Sequence, residues 1–204
     1  MSIKSLFVCQ QCGNEFAKWS GKCTFCGEWN SLVESVFDSN IKSSKKHSKS
    51  NKNPNLKPTK LVDIKLLKSE RLPTNIPELD RVLGGGLVSG QVVLIAGEPG
   101  IGKSTILMQL SNNLKNVMYV SGEESGSQVA LRARRLGVKT NEIQFIESTD
   151  CDDIIQIIAN LNEKPKAIII DSIQTMTTSD LTGLAGSVGQ VRETASRFLK
   201  YAKS

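Results

Sequence analysis

The sequence predicts an α/β fold with a mainly parallel sheet, preceded by a small metal-bound module. Three observations carry this reading. Short apolar runs rich in β-branched residues alternate with helical patterns from Val92 to Ala202, the rhythm of a parallel sheet with helices on both faces. Gly97 to Ser104 fits G-x-x-x-x-G-K-[ST] without a mismatch, between an apolar run and a helical pattern, as a P-loop should. Four of the five cysteines form two C-x-x-C pairs near the N-terminus, a pattern that favours metal over disulfides in a reducing compartment.

Length and composition agree. A chain of 204 residues with 39% hydrophobic content holds one fair-sized α/β domain plus a small module. The expected boundaries are residues 1–36 for the cysteine module, 37–60 for a linker and 61–204 for the core. No stretch approaches the apolar length that spans a bilayer, and Met1 to Phe7 lacks the apolar region of a signal peptide. The expected compartment is the cytoplasm, with no membrane partner. The net charge is +6, but seven lysines lie between Asn40 and Lys60, which holds no acid. The rest of the chain is therefore close to neutral, and the basicity belongs to one segment rather than to the folded parts.

Cys9-Gln-Gln-Cys12 and Cys23-Thr-Phe-Cys26 each read as a knuckle, with Gly13 and Gly27 just after to allow the turn. Four thiolates around one Zn²⁺ make a closed tetrahedral site, hence a structural one. So short a module cannot build a core alone, so the metal must supply folding energy. Trp19 and Trp29 are expected to pack that module; a base-stacking role is the sharper alternative. Residues 39–60 are low-complexity Ser, Lys and Asn with Pro54 and Pro58, a composition that cannot order itself by burial. They read as a flexible linker, and His47 within it as a solvated residue.

Asn75 to Leu83 has helical apolar spacing, with Thr74 or Asn75 as cap, Pro77 in the first turn and Gly84 to Gly86 ending it. Val92 to Ala96 reads as a buried strand leading into the P-loop. Gly97, Gly100 and Gly102 let the loop turn so that backbone N–H groups face phosphate oxygens. The whole loop, Gly97, Glu98, Pro99, Gly100, Ile101, Gly102, Lys103, Ser104 and Thr105, is the expected ATP cradle. Lys103 reaches the β- and γ-phosphates and Ser104 joins the Mg²⁺ shell. Strands follow at Val117–Val120, Ile143–Ile146 and Ala167–Ile170, and helices at Val129–Leu136 and Ile154–Leu161, the latter with Asp152 and Asp153 in its first turn. A polar loop runs to about Gly189. The last helix shows Val191, Ala195, Phe198, Leu199 and Ala202 on one face. Asp171 ends an apolar strand, as an Mg²⁺-holding acid of a P-loop protein does. Glu123 and Glu124 follow the second strand, where either carboxylate would orient or deprotonate water. Cys151 reads as a small, partly buried residue.

With these motifs assembled, the chain resembles the bacterial RadA/Sms DNA repair family. The resemblance rests on the two cysteine pairs, Leu79 to Gly86, Gly97 to Thr105, Tyr119 to Ser125, Asp171 to Thr175 and Gly186 to Glu193. It implies a RecA-like ATPase core behind a four-cysteine zinc finger. It implies a DNA-dependent ATPase of homologous recombination that drives branch migration on single-stranded DNA as a ring-shaped assembly. The implied partners are recombination intermediates and a recombinase of the RecA type. By the same resemblance Glu123, rather than Glu124, aligns with the catalytic glutamate, and Gln174 to Gln190 resembles a DNA-facing loop, with a departure around Thr177 to Ala185. Family members continue into further strands and a Lon-protease-like domain that this sequence lacks. The expectation is therefore a C-terminally truncated core, a fragment or a short gene product, in which one edge of Val92 to Ala96 is unpaired. Such a chain alone should be a poor ATPase and prone to self-association. Two rival readings are a zinc-dependent adaptor whose P-loop is only a nucleotide switch, and an inactive truncation product.

Overall fold

The computed structural model describes residues 4–37, 60–63, 71–181 and 183–204. Most of the expected linker, with His47, lies outside the described residues.

The N-terminal module is a three-stranded antiparallel sheet of order β2-β1-β3, formed by β1 (Lys4–Cys9), β2 (Glu15–Phe16) and β3 (Leu32–Phe37). Phe7 pairs with Phe16 across one edge of β1, and Cys9 pairs with Leu32 across the other. Cys9 is the last residue of β1, so the first Cys pair stands at that end of the sheet. Its apolar centre is small: buried Cys9, Cys23 and Leu32, with Phe7, Cys12 and Phe16 against them. Here the packing expectation for the tryptophans fails. Trp19 is 59% exposed, Trp29 66% and Phe25 75%. One thin sheet around a four-sulfur cluster has no second layer to cover large rings, so they lie on the surface. Lys22 places its ammonium 5.4 Å from the Trp29 ring centroid, a cation–π contact.

The core begins with α1 (Pro77–Leu83) and continues through α2 (Lys103–Leu114), β4 (Val117–Ser121), α3 (Gly126–Arg135), β5 (Ile143–Glu147), α4 (Cys151–Ala159), β6 (Ala167–Asp171) and α5 (Val188–Ala202). Pro77 stands in the first turn of α1 and Gly84 closes it in the left-handed region, as expected. The cap works in reverse of the expected one: the Asp80 carboxylate accepts from the backbone N–H of Thr74 and Asn75, so the helix's own acid fastens the incoming chain. At the start of α4, Asp150 accepts from the N–H groups of Asp152 and Asp153, and the acids of the first turn face the positive end of the helix.

β5, β4 and β6 form a parallel sheet in that order, with Tyr119 beside Phe145 and Ile169. β4, the central strand, is buried at all five positions, so its side chains divide between two cores. Val117 and Tyr119 join Met108, Leu110 and Leu114 of α2 and Val129 and Ala133 of α3. Met118 and Val120 join Ile154 and Ile158 of α4 with Phe198 and Tyr201 of α5. Helices thus cover both faces, as the alternation predicts.

Two sequence expectations are corrected here. Val92 to Ala96 forms no strand of the sheet. Val92 is 51% exposed and Leu94 78%. An apolar, β-branched run supplies propensity, but a ladder needs neighbours. Among the described residues nothing pairs with this run on either side. The expectation of one unpaired edge therefore understates the outcome. The buried face of α5 also differs from the expected one. Gln190 and Thr194 are buried, Phe198 and Tyr201 join the core, and Ala195 and Leu199 are exposed. The apolar residues of this helix are too few to define its face, and polar partners define it instead. Gln190 exchanges hydrogen bonds with the N–H and carbonyl of Thr178 at 2.9 and 3.2 Å and also donates to Leu181.

Candidate functional site

The four cysteines converge. Their sulfurs lie within 4.8 Å of one another, with Cys9 Sγ 3.6 Å from Cys26 Sγ and Cys12 Sγ 3.6 Å from Cys23 Sγ. A tetrahedron with Zn–S bonds of about 2.3 Å puts its sulfurs about 3.8 Å apart, so the cluster has the dimensions of one zinc ion. The knuckles are built alike: Gly13 N–H donates to the Cys9 carbonyl and Gly27 N–H to the Cys23 carbonyl, both at 2.8 Å. Burial pushes the Cys9 thiol up, but the Ser31 hydroxyl and the backbone around Cys12 outweigh it and bring it down to about 6. The backbone at Glu28 draws the Cys26 thiol down, but burial and the neighbouring sulfurs outweigh it and push it up to about 12. Four thiolates in one cluster repel, and only a cation lets all four ionise. The residues fit a structural zinc site.

The P-loop stands at the start of α2. Gly100 and Gly102 have φ of 77° and 104°, where a side chain would be strained, and a Cβ at either would meet nothing within 4 Å. The loop is open above its glycines, as a phosphate cradle requires. Lys103 Nζ donates to the carbonyls of Gly97 and Glu98, both at 2.8 Å, so the loop is closed on its own lysine. Ser104 and Thr105 lie in the first turn of α2.

The acids gather at the carboxyl ends of β4 and β6. Asp171 is the last residue of β6, and its Oδ2 accepts from the Tyr119 hydroxyl at 2.6 Å. Burial first, and then this bond, push the Tyr119 hydroxyl well above the ordinary tyrosine range, so it stays a donor. Glu123 Oε1 accepts from the Ser172 hydroxyl at 2.7 Å. Glu124 pairs instead with Arg132, whose Nη1 also lies 3.9 Å from Asp171 Oδ2. The turn is tight at Gly122: a Cβ there would lie 2.2 Å from Thr175 Oγ1, so only glycine lets the end of β4 pass Thr175, three residues beyond Ser172. A cleft of about 450 Å³, lined by Ser121, Glu123, Glu124, Gln128, Glu147 and Thr149 among others, opens above these strands.

The structure thus brings Glu123, Glu124 and Asp171 together. No hydrogen bond joins Ser104 or Lys103 to them among the described residues, and no P-loop residue lines the cleft. With Val92 to Ala96 unpaired among the described residues, α2 is the element that joins the loop to the core. Sequence reading missed Tyr119, Arg132 and Ser172. Tyr119 carried a signal: a hydroxyl in a fully buried strand must find a partner. The partner of Arg132 was not legible, since three arginines share its helix.

Comparison with known proteins gives the relatives of this chain. A KaiC-type ATPase family model matches residues 72–149, and a rubredoxin-type metal-binding domain matches residues 7–34. The chain is 45% identical over 203 residues to DNA repair protein RadA of Aquifex aeolicus, covering 98% of this chain and 44% of that one. It is 47% identical to DNA repair protein RadA of Listeria monocytogenes, covering 97% and 43%, and 43% identical to that of Bacillus subtilis, covering 98% and 44%. Over the span it covers, the chain is similar to these RadA proteins. Its fold is a P-loop ATPase domain behind a four-cysteine zinc ribbon. It spans less than half the length of these RadA relatives.

Proposed function

We propose that this chain is the zinc-ribbon and P-loop part of a DNA-dependent ATPase of recombination and repair. The observation that carries the reading is that Glu123 and Asp171 stand at the carboxyl ends of adjacent parallel strands, where Ser172, next to Asp171 in the chain, donates to Glu123. A P-loop precedes them in sequence. Strand ends are where such sheets bind ligands, and a nucleotide switch has no need of a second, water-facing carboxylate.

When bound, Mg·ATP supplies the phosphoanhydride bond and the metal charge that stabilises its transfer. The protein's own residues divide the remaining work. Backbone N–H groups from Gly97 to Thr105 cradle phosphate oxygens, with the positive end of α2 behind them. Lys103 exchanges the Gly97 and Glu98 carbonyls for phosphate. Ser104 and Asp171 offer hydroxyl and carboxylate oxygens, the donors Mg²⁺ prefers. Glu123 accepts the proton of the attacking water, and Ser172 fixes which oxygen faces it. Arg132 withdraws Glu124 from that role.

The domain division proposed is 1–36 for the zinc ribbon, 37–60 for a basic linker and 61–204 for the ATPase core. The RadA names of the relatives support DNA as partner. Single-stranded DNA and recombination intermediates, branch migration, a RecA-type recombinase, ring assembly and a cytoplasmic setting are the finer parts of the proposal. Among the described residues no helix is long and apolar enough to cross a membrane. The test is ATP turnover by the full-length protein with and without single-stranded DNA. Stimulation is expected. Nucleotide binding without turnover would favour the adaptor.

A further inference from the structure

One oxygen of the Asp171 carboxylate is engaged by the protein. Tyr119, buried in the central strand, donates to Oδ2 at 2.6 Å. Arg132 Nη1 approaches the same oxygen at 3.9 Å, is buried, and has no hydrogen-bond partner. The other end of the same guanidinium holds Glu124. Asp171 Oδ1 carries no hydrogen bond among the described residues. One donor from β4 and one positive charge from α3 therefore face the same oxygen, and the other oxygen has no partner among the described residues.

We infer that Tyr119 and Arg132 are positioning residues that aim Asp171 Oδ1 at the divalent cation of a bound nucleotide. The inference deepens the Mg·ATP reading above and rests on it. The physical case is orientation. A carboxylate at a strand end turns freely unless one oxygen is pinned, and outer partners of this kind fix the plane of a metal-binding group. Tyr119 pins Oδ2 by a hydrogen bond to a charged acceptor, the stronger class of such bonds. Arg132 adds a positive charge beside it. The same residue pairs with Glu124, which would leave fewer carboxylates to compete for one cation. An unpartnered buried Nη1 is costly, and its nearest available acceptor is Asp171 Oδ2. A small movement of Arg132 towards Asp171 would satisfy it.

The test uses the full-length protein and a fluorescent ATP analogue, with affinity measured in EDTA and across a Mg²⁺ titration. Tyr119→Phe keeps the ring in the core and removes only the hydroxyl. Its affinity in EDTA should stay within about twofold of the unaltered protein, and the Mg²⁺ concentration giving half of the tightening should rise about tenfold to a hundredfold. Arg132→Gln should act in the same direction, and Arg132→Lys, which keeps a charge, should recover part of the loss. An unchanged Mg²⁺ midpoint in both Tyr119→Phe and Arg132→Gln overturns the inference. So does an equal loss of affinity with and without Mg²⁺, the signature of a merely structural role. If the unaltered protein binds nucleotide indifferently to Mg²⁺, the metal reading beneath fails as well, and that failure is distinct because no substitution is needed to see it.

Discussion

The Ser172 hydroxyl donates to Glu123 Oε1 at 2.7 Å, joining the turn after the central strand to the first residue beyond β6. The bond leaves Glu124 to Arg132 and gives the two adjacent glutamates different partners. Glu123→Gln should therefore keep nucleotide binding and lose turnover by about a hundredfold or more, as loss of a general base does. Ser172→Ala should lower kcat by about tenfold or less with little change in KM, since it removes an orienting bond and not the base. Steady-state kinetics on both variants check this. Normal turnover by Glu123→Gln would move the base to Glu124 or another group.

Thiol counting tests the zinc site. Cys151 is buried, and burial pushes its thiol up to about 12, so it has almost no reactive thiolate near pH 8. Native protein purified without chelator should carry one zinc per chain and react slowly with a thiol reagent. A chelator should release the metal and expose four thiols, and denaturant the fifth. Four freely titrating thiols and no zinc in the native protein would contradict the site. Cys23→Ala should unfold the ribbon rather than loosen it.

Gln190 and Arg197 hold the loop after β6. Gln190 is buried and bonds Thr178, Leu181 and Gly183, while Arg197 pairs with Asp152, Asp180 and Glu193. Gln190→Ala should cost about 3 kcal/mol, because it strands buried backbone groups. Denaturant unfolding measures it.

The Arg197 cluster also sets a pH dependence. Burial raises the Asp152 carboxyl, but the Thr178 hydroxyl and Arg197 outweigh it and hold it below the usual carboxylate range. A depressed folded pKa contributes stability above the unfolded value, near pH 4, that is lost as pH falls through the folded one. The stability gap between the parent and Arg197→Gln should therefore be open at pH 7 and narrow below about pH 4. A gap that widened on acidification would contradict this.

The sheet and its two covered faces were legible because β4, β5, β6 and α4 carry strong local patterns and clear caps. Val92 to Ala96 was misread for a physical reason. Its composition specifies a strand, but pairing is a property of neighbours, and those neighbours are not among the described residues. The face of α5 was misread because Gln190 and Thr194 are buried by specific hydrogen bonds, which apolar periodicity cannot register. The motif residues themselves, the four cysteines, the P-loop and the strand-end acids, were all named from the sequence. Tyr119, Arg132 and Ser172 were given no role of their own, because each acts through a partner 39 or more positions distant or in a shared cluster.

The unpaired approach to the P-loop has its own consequence. Residues 1–204 alone should turn over ATP poorly and self-associate, since an exposed apolar run and the edge of β6 that is unpaired among the described residues both recruit other chains. Size distribution and turnover, compared with a chain as long as the RadA relatives, check this. A monodisperse 204-residue chain with full DNA-stimulated turnover would contradict it.

The central claim, a DNA-dependent ATPase built on Lys103, Glu123 and Asp171, is tested most directly by one measurement: ATP turnover by the full-length protein as single-stranded DNA is added, beside Lys103→Ala. The account predicts a rate that rises with DNA and vanishes in Lys103→Ala. A rate that ignores DNA, or nucleotide bound with no turnover at all, would contradict it.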